Sequence, residues 1–440
     1  MNRLLETVAP GRLGTGFRWL FASSWVSNLG DGIALAAGPL LVASQTRDPL
    51  LVAMAVLLQQ LPWLLFGLQA GALADRLDRR KVVVTVDLAR TAVLIVLCVA
   101  IATGPVSVGV VLLALFVLGT AEVFADNASS TLLPMLVGRS DLAVGNARLQ
   151  TGSLTMNHLA GPPLGAALFA AGAVWPFAAQ AVLVALGALL VSRIVLPAHG
   201  RRSGTAAERR LRADIVEGFR WVRHNAAVRT LILTIFVFNI TYGAAWSVLV
   251  LYSTERLGMG PVGFGLLTTV MAVGGLAGTA SYGWITRRVS LGDVMRIGLV
   301  IETLTHLALA LATRPVFALP VFFVFGAHAF IWGTTSVTVR QRAVPSSLQG
   351  RVASVNSLGH YGGMVAGAAL GGVLAQQFGI TAPFWFAFAG SAVFLVVIWR
   401  QLRHIAHDDG AHGDGAHDDG AHDDGAHDDG AQSRSSRRDA

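Results

Sequence analysis

Ser24, Ser27, Asn28 and Asp31 recur at spacings of three and four inside an apolar stretch near the start of the chain. That spacing places them on one face of a helix. A carboxylate on such a face, in a run otherwise fit for hydrocarbon, needs a water-filled cavity or a partner helix. Two chemistries suit Asp31. It is either a protonatable site that also attracts a cationic substrate, so that proton and substrate compete for one carboxylate, or a hydrogen-bonded carboxylate near the outer end of its helix. Three further stripes share the pattern: Glu122 with Asp126; Asn239, Tyr242 and Trp246; and His328, Trp332 and Thr335. Tyr242, Trp246 and Trp332 fit an aromatic wall for a bulky or cationic ligand, or plain packing. Glu302 and His306 lie one turn apart and read as a local i,i+4 pair or as part of a proton path. His328 reads as a coupling histidine or as a satisfied one. No nucleophile or metal constellation appears, and no Gly-x-x-x-x-Gly-Lys-Ser/Thr loop. Neither catalysis, nor ATP drive within this chain, nor a cofactor is therefore expected.

The elements that position these groups follow from composition. The 440 residues are 54% hydrophobic and 13% charged, about half the charge of a soluble domain. Apolar segments of membrane-spanning length recur, at 17–43, 50–74, 82–103, 106–127, 143–171, 175–196, 228–252, 262–285, 294–313, 315–339, 352–378 and 382–399. Each is long enough to cross a bilayer as a helix, and the short alternating segments of a barrel are absent. The expected fold is an all-α integral membrane protein of twelve transmembrane helices. Cys98, the single cysteine, excludes a disulfide framework within the chain.

The net charge of +8 would suggest nucleic acid in a soluble protein. Here the basic residues cluster on one side of the spans instead. Arg76, Arg79, Arg80, Lys81, Arg287, Arg288, Arg340, Arg342 and Arg351 fall in one set of loops; only Arg47, Arg256 and Arg314 fall in the other. That asymmetry predicts a cytosolic face for the basic loops and for both termini. No nucleic-acid partner is expected.

The longest inner loop divides the spans six and six. The expected organisation is an N-terminal segment (1–16), a six-helix bundle (17–196), a linker with an amphipathic helix (197–227), a second bundle (228–403) and a tail (404–440). In the linker, Leu211, Ile215, Phe219 and Val222 are spaced for a helix lying on the membrane or on the bundle. Residues 142–169 align without gaps on 348–375. Gly161, Leu164 and Gly165 meet Gly367, Leu370 and Gly371, while Gly71 corresponds to Gly283. Duplicated halves are a transporter architecture with the substrate site between them. The tail repeats Ala-His-Asp-Asp-Gly and is expected to be disordered. It reads as a solvated spacer, or as a loose divalent-metal binder through His407, His412, His417, His422 and His427.

The run from Gly71 through Asp75, Arg76, Arg79 and Arg80 to Lys81 resembles the signature loop of the major facilitator superfamily. Asp78, with Asp87 and Arg90 beyond it, is similar to the bacterial branch that holds macrolide efflux proteins and the enterobactin exporter. The resemblance runs from about Phe17 to Arg403 and implies two pseudo-symmetric bundles whose first, fourth, seventh and tenth spans line a cavity. It also implies an inner gate. Glu122 or Asp126 would pair with Arg79, Asp75 would face the start of the eleventh span, and Gly71, Arg76 and Arg80 would complete the loop. Gly161, Pro162 and Gly165 are similar to an exporter-associated motif, with departures at Asn157 and Ala166. The implied protein is a monomeric secondary transporter of the bacterial plasma membrane. Its partners are the lipid bilayer, protons and a bulky organic compound that it exports. The alternatives are a dedicated exporter of a siderophore or secondary metabolite, and a transport-dead sensor.

Overall fold

Hydrocarbon offers the backbone no hydrogen-bond partners, so a chain this apolar must satisfy its own N–H and C=O groups within helices. The computed structural model describes residues 11–74, 77–104, 106–196 and 207–401, and these hold helices and turns with no β-strand. Asp75, Arg76 and the His/Asp-rich tail lie outside the described residues. Ten helices among the described residues are long and apolar enough to cross a membrane. They are the first span Gly14–Gln45, second Pro49–Ala74, third Arg79–Thr103, fourth Val108–Ser130, sixth Trp175–Ser192, seventh Ala226–Trp246, eighth Pro261–Thr286, ninth Leu291–Leu311, tenth Pro315–Ala343 and eleventh Gln349–Phe378. The twelfth, Ala382–Ile398, is apolar but only 17 residues long. The fifth is continuous from residue 142 to 171 yet broken into three helical segments.

Local chemistry sets where spans begin and end. Asp78 accepts from the Lys81 N–H at 3.2 Å, Asn225 from Val228 at 3.0 Å and Ser290 from Asp293 at 3.2 Å. Each cap satisfies a donor that the first helical turn leaves free. The eleventh span stops at Gly379, whose φ of 91° suits a residue without a Cβ.

Two spans depart from the continuous helices expected. In the fifth, Leu154–Ala160 is π-helical ahead of Gly161–Ala171. Pro162 has no N–H to give and its ring crowds the carbonyl a turn earlier, so the ladder widens there rather than simply bending. The seventh span, expected to reach residue 252, ends at Trp246 and resumes as Leu249–Leu251 and the π-helical Tyr252–Arg256. Ser247 Oγ donates to the Ala244 carbonyl at 3.0 Å, a local bond that competes with the helix ladder.

The two halves repeat one packing scheme. The first span packs on the fifth and sixth, the second on the fourth, and the third on the fourth and sixth. The seventh likewise packs on the eleventh and twelfth, the eighth on the tenth, and the ninth on the tenth and twelfth. The seams between the halves, second on eleventh and fifth on eighth, also map onto each other. Glycines make the closest approaches. A Cβ on Gly161 would lie 2.6 Å from the Gly32 carbonyl carbon. A Cβ on its duplicate Gly367 would lie 3.0 Å from Gly243 Cα. Small residues let backbones touch in a setting without a hydrophobic drive between helices.

Arg79, Arg80 and Lys81, where the third span begins, mark one end of the bundle, the basic end. At the opposite end, residues of both halves share one apolar core, including Leu40, Ala53, Ala166, Leu249, Phe264 and Ala375. There Gln376 also donates to both oxygens of Asp48, at 3.1 and 3.3 Å. The halves are thus closed on each other at that end.

Candidate functional site

Arg90 organises the charged centre of the first half. It lies three turns into the third span, with its side chain 1% exposed. Its Nη2 donates to Asp31 of the first span, its Nη1 to Asp87 on its own helix at 3.2 Å, and Glu122 of the fourth span stands 4.0 Å away. Asp126, one turn beyond Glu122, lines the adjoining cavity together with Asp87 and Arg90. One guanidinium therefore serves a neighbourhood of four carboxylates. A buried ion pair survives only where each charge is compensated, and here the surplus is negative.

Glycine geometry places Asp31. The next residue, Gly32, would put a Cβ 2.9 Å from Gly161 Cα. The contact with the fifth span fixes this turn of the first helix, and with it the direction of Asp31. One turn further on, a Cβ on Gly165 would lie 3.0 Å from Ile33 Cα, so Gly161 and Gly165 both face the first span.

The cavity beside the cluster holds about 630 Å³. Ser24, Ser27 and Asn28 line it as the stripe required, with Ser129, Ser130, Asn146 and Gln150 from the basic ends of the fourth and fifth spans. Further in, a chamber of about 50 Å³ is bounded by Asp31, Gln59, Gln60, Glu122 and Gln180. Beyond it lies a third space of about 230 Å³, which shares Leu35, Gln59 and Gln60 and is walled by Tyr242, Trp246, Met271 and Met364. The series changes from acidic and hydroxylated near the basic end to aromatic and apolar deeper in.

Tyr242 and Trp246 stand side by side on this third space. Their rings stack at 4.4 Å, and Phe325 lies 4.7 Å from Trp246. Trp332 does not join them; it packs in the apolar cluster of Met295 and Leu299. Asn239 Nδ2 donates to the Ile235 carbonyl of its own helix at 2.6 Å, and its Cβ faces Gly363 of the eleventh span. It serves the helix seam.

Two pairings differ from expectation. Glu302 pairs with His328 across to the tenth span, Oε2 to Nε2 at 3.5 Å, and not with His306. His306 is fully buried, with neither ring nitrogen hydrogen-bonded, and stands edge-on to Trp246 at 6.2 Å. The neighbouring helix offers a better line of approach than the i,i+4 position. Arg79 does not meet Glu122 or Asp126; its Nη1 donates to the Thr131 carbonyl at 3.2 Å and contacts Met135 Sδ. Arg79 opens the third span, whereas Glu122 sits two turns inside the fourth. Eleven residues separate Arg79 from Arg90, a rise of about 16 Å, which makes Arg90 the basic group level with Glu122. Arg80 Nη1 donates to the Ile194 carbonyl at 2.7 Å. Gly71 faces Asn127 of the fourth span.

Sequence reasoning gave Arg90 and Asp87 no role in the site. The available signal was two opposite charges three residues apart inside an apolar span.

The sequence profile of the family described as transmembrane secretion effectors matches residues 6–415. The multidrug efflux pump Tap of Mycolicibacterium fortuitum is 30% identical over 83% of this chain and 90% of its own length. Macrolide efflux protein A of Streptococcus pyogenes is 24% identical over 87% of this chain and 94% of its own. Among solved structures, a bacterial homologue of the iron transporter ferroportin, in an inward-facing state, superposes with a TM-score of 0.71. It is 18% identical over 88% of this chain and 98% of that one, a likeness of fold.

Proposed function

This chain belongs to the transmembrane secretion effector family of the major facilitator superfamily, and we propose that it exports a bulky organic compound across the bacterial plasma membrane by alternating access coupled to proton influx. The observation that carries the proposal is the unbalanced centre at Arg90: four carboxylates, one guanidinium and an adjoining cavity. Excess negative charge in a confined site favours whatever brings positive charge, either a cationic substrate or a proton. The two compete, and that competition couples them.

The basic end faces the cytosol, in keeping with the concentration of arginines there. Substrate enters the wide cavity from that side and advances toward Tyr242 and Trp246. The two bundles, residues 17–196 and 228–403, then rock about the paired seams. The Asp48–Gln376 contact and the apolar core at the opposite end must part for release. Protonation of the carboxylate cluster from outside reduces its surplus charge and lowers the affinity for the leaving cation. Both bundles that must rock lie within one chain, and on this reading the protein works as a monomer.

The test is toxicant profiling of cells with and without the chain. Protection against several chemically unrelated compounds, lost with Asp31→Asn, supports the reading. Unchanged sensitivity and unchanged intracellular content of every compound tested would overturn export.

A further inference from the structure

Over residues 214–224 the linker helix (Ala207–His224) presents two opposed faces. One is occupied. Asp214 and Glu217 both accept from Arg351 at the start of the eleventh span, at 2.9 and 2.8 Å. Gly218 lies against the Arg351 backbone, where a Cβ would stand 2.7 Å from the carbonyl oxygen, and Val222 is buried with Val228, Ile232 and Val352. The Arg223 carbonyl accepts from Arg229 Nη1 at 2.8 Å, which ties the end of the helix to the first turn of the seventh span.

The other face carries Val216, Phe219, Arg220 and Arg223, at the i, i+3, i+4 and i+7 positions of one stripe. All four are exposed, Phe219 at 62% and Val216 at 54%; Phe219, expected on one stripe with Val222, stands at the border of this face while Val222 is buried. Neither arginine side chain has an ion-pair partner among the described residues. Apolar side chains beside guanidinium groups suit the boundary of a bilayer. There the ring and the valyl group leave water, while the guanidinium groups meet phosphate with paired N–H donors.

We propose that this face is a binding site for anionic phospholipid headgroups of the cytosolic leaflet. The helix then bridges two partners. Its acidic side holds the eleventh span through Arg351, and its basic side holds the membrane surface. The level of the second bundle's basic end is thereby tied to the headgroup plane. The choice of leaflet rests on the orientation proposed above; the contact with lipid does not.

The experiment uses the full chain with Cys98→Ser, which removes its single cysteine, and a spin label at Phe219→Cys. Collision of the label with oxygen and with a water-soluble nickel chelate is measured in nanodiscs of phosphatidylcholine titrated with phosphatidylglycerol. Phosphatidylglycerol should shift the label from chelate-accessible to oxygen-accessible. Replacing Arg220 and Arg223 with Gln should raise the phosphatidylglycerol needed roughly fivefold per arginine. A label that stays chelate-accessible at every composition would overturn the proposal. So would a lipid-buried label that responds to neither phosphatidylglycerol nor the Gln variants. Orientation is read separately, by an impermeant thiol reagent on Lys81→Cys in whole cells. A basic end found outside would refute the leaflet and leave the lipid result standing.

Discussion

Replacing Arg90 with Met tests the charged centre most severely. Methionine keeps much of the side-chain length and removes the charge. Asp31 and Asp87, with side chains 5% and 4% exposed, then lose their shared counter-charge, and Glu122 loses its nearest basic group. Stripping one partner from a buried ion pair costs about 3–5 kcal/mol, because the remaining charge is left uncompensated in a low-dielectric site. Here two carboxylates lose a direct bond, so the upper part of that range applies. The magnitude should fall when one carboxylate is also neutralised. Arg90→Met with Asp31→Asn should recover about half of the loss and show a coupling energy of at least about 1 kcal/mol, as expected for residues in contact. The assay is thermal unfolding of the purified protein in detergent, for the wild type, both single variants and the double variant. Wild-type stability for Arg90→Met, or losses that simply add in the double variant, would refute the claim that Arg90 holds these carboxylates.

Three other outcomes follow from packing and polarity. Gly161→Val should reduce folded yield sharply, since its Cβ would sit 2.6 Å from the Gly32 carbonyl carbon and backbone cannot give way; size-exclusion profiles of Gly161→Val and of the duplicate Gly367→Val check this, and normal profiles for both would contradict it. Gln376→Ala should loosen the end opposite the basic end. The pair is largely exposed, so a shift of only about fivefold in favour of opening there is expected, read as faster alkylation of a cysteine placed at Ala53; an unchanged rate would remove the pair from gating. Trp246→Ala should weaken binding of bulky substrates about tenfold or more while sparing small ones, because it removes the ring that touches both Tyr242 and Phe325; equal loss for large and small substrates would argue for a packing role alone.

The elements were largely legible in the sequence because lipid restricts a spanning segment to a helix. The register of the two halves was legible because Gly161 and Gly165 recur as Gly367 and Gly371, where only small residues allow the approach. The polar face of Ser24, Ser27 and Asn28 was legible because helical spacing needs no tertiary information. What escaped was pairing across helices. Asp31 could be marked as needing a partner, but its match with Arg90 depends on how far each helix slides past its neighbour. The same holds for Glu302, which finds His328 on another span when a closer histidine in sequence stands one turn away. Interruptions of the fifth and seventh spans were hidden for a related reason. Hydropathy averages over a π-helical turn, and of the two breaks only Pro162 announces itself by residue type.

The most direct test of the central claim, that the carboxylates around Arg90 exchange a proton for the substrate, is uptake into inside-out membrane vesicles under an imposed pH gradient. Once profiling has supplied a transported compound, wild-type vesicles should accumulate it only when their interior is the more acidic side. Asp31→Asn vesicles should bind it and carry it down its own gradient but show no pH-driven accumulation. Full gradient-driven uptake by Asp31→Asn, or wild-type uptake indifferent to the gradient, would contradict the account.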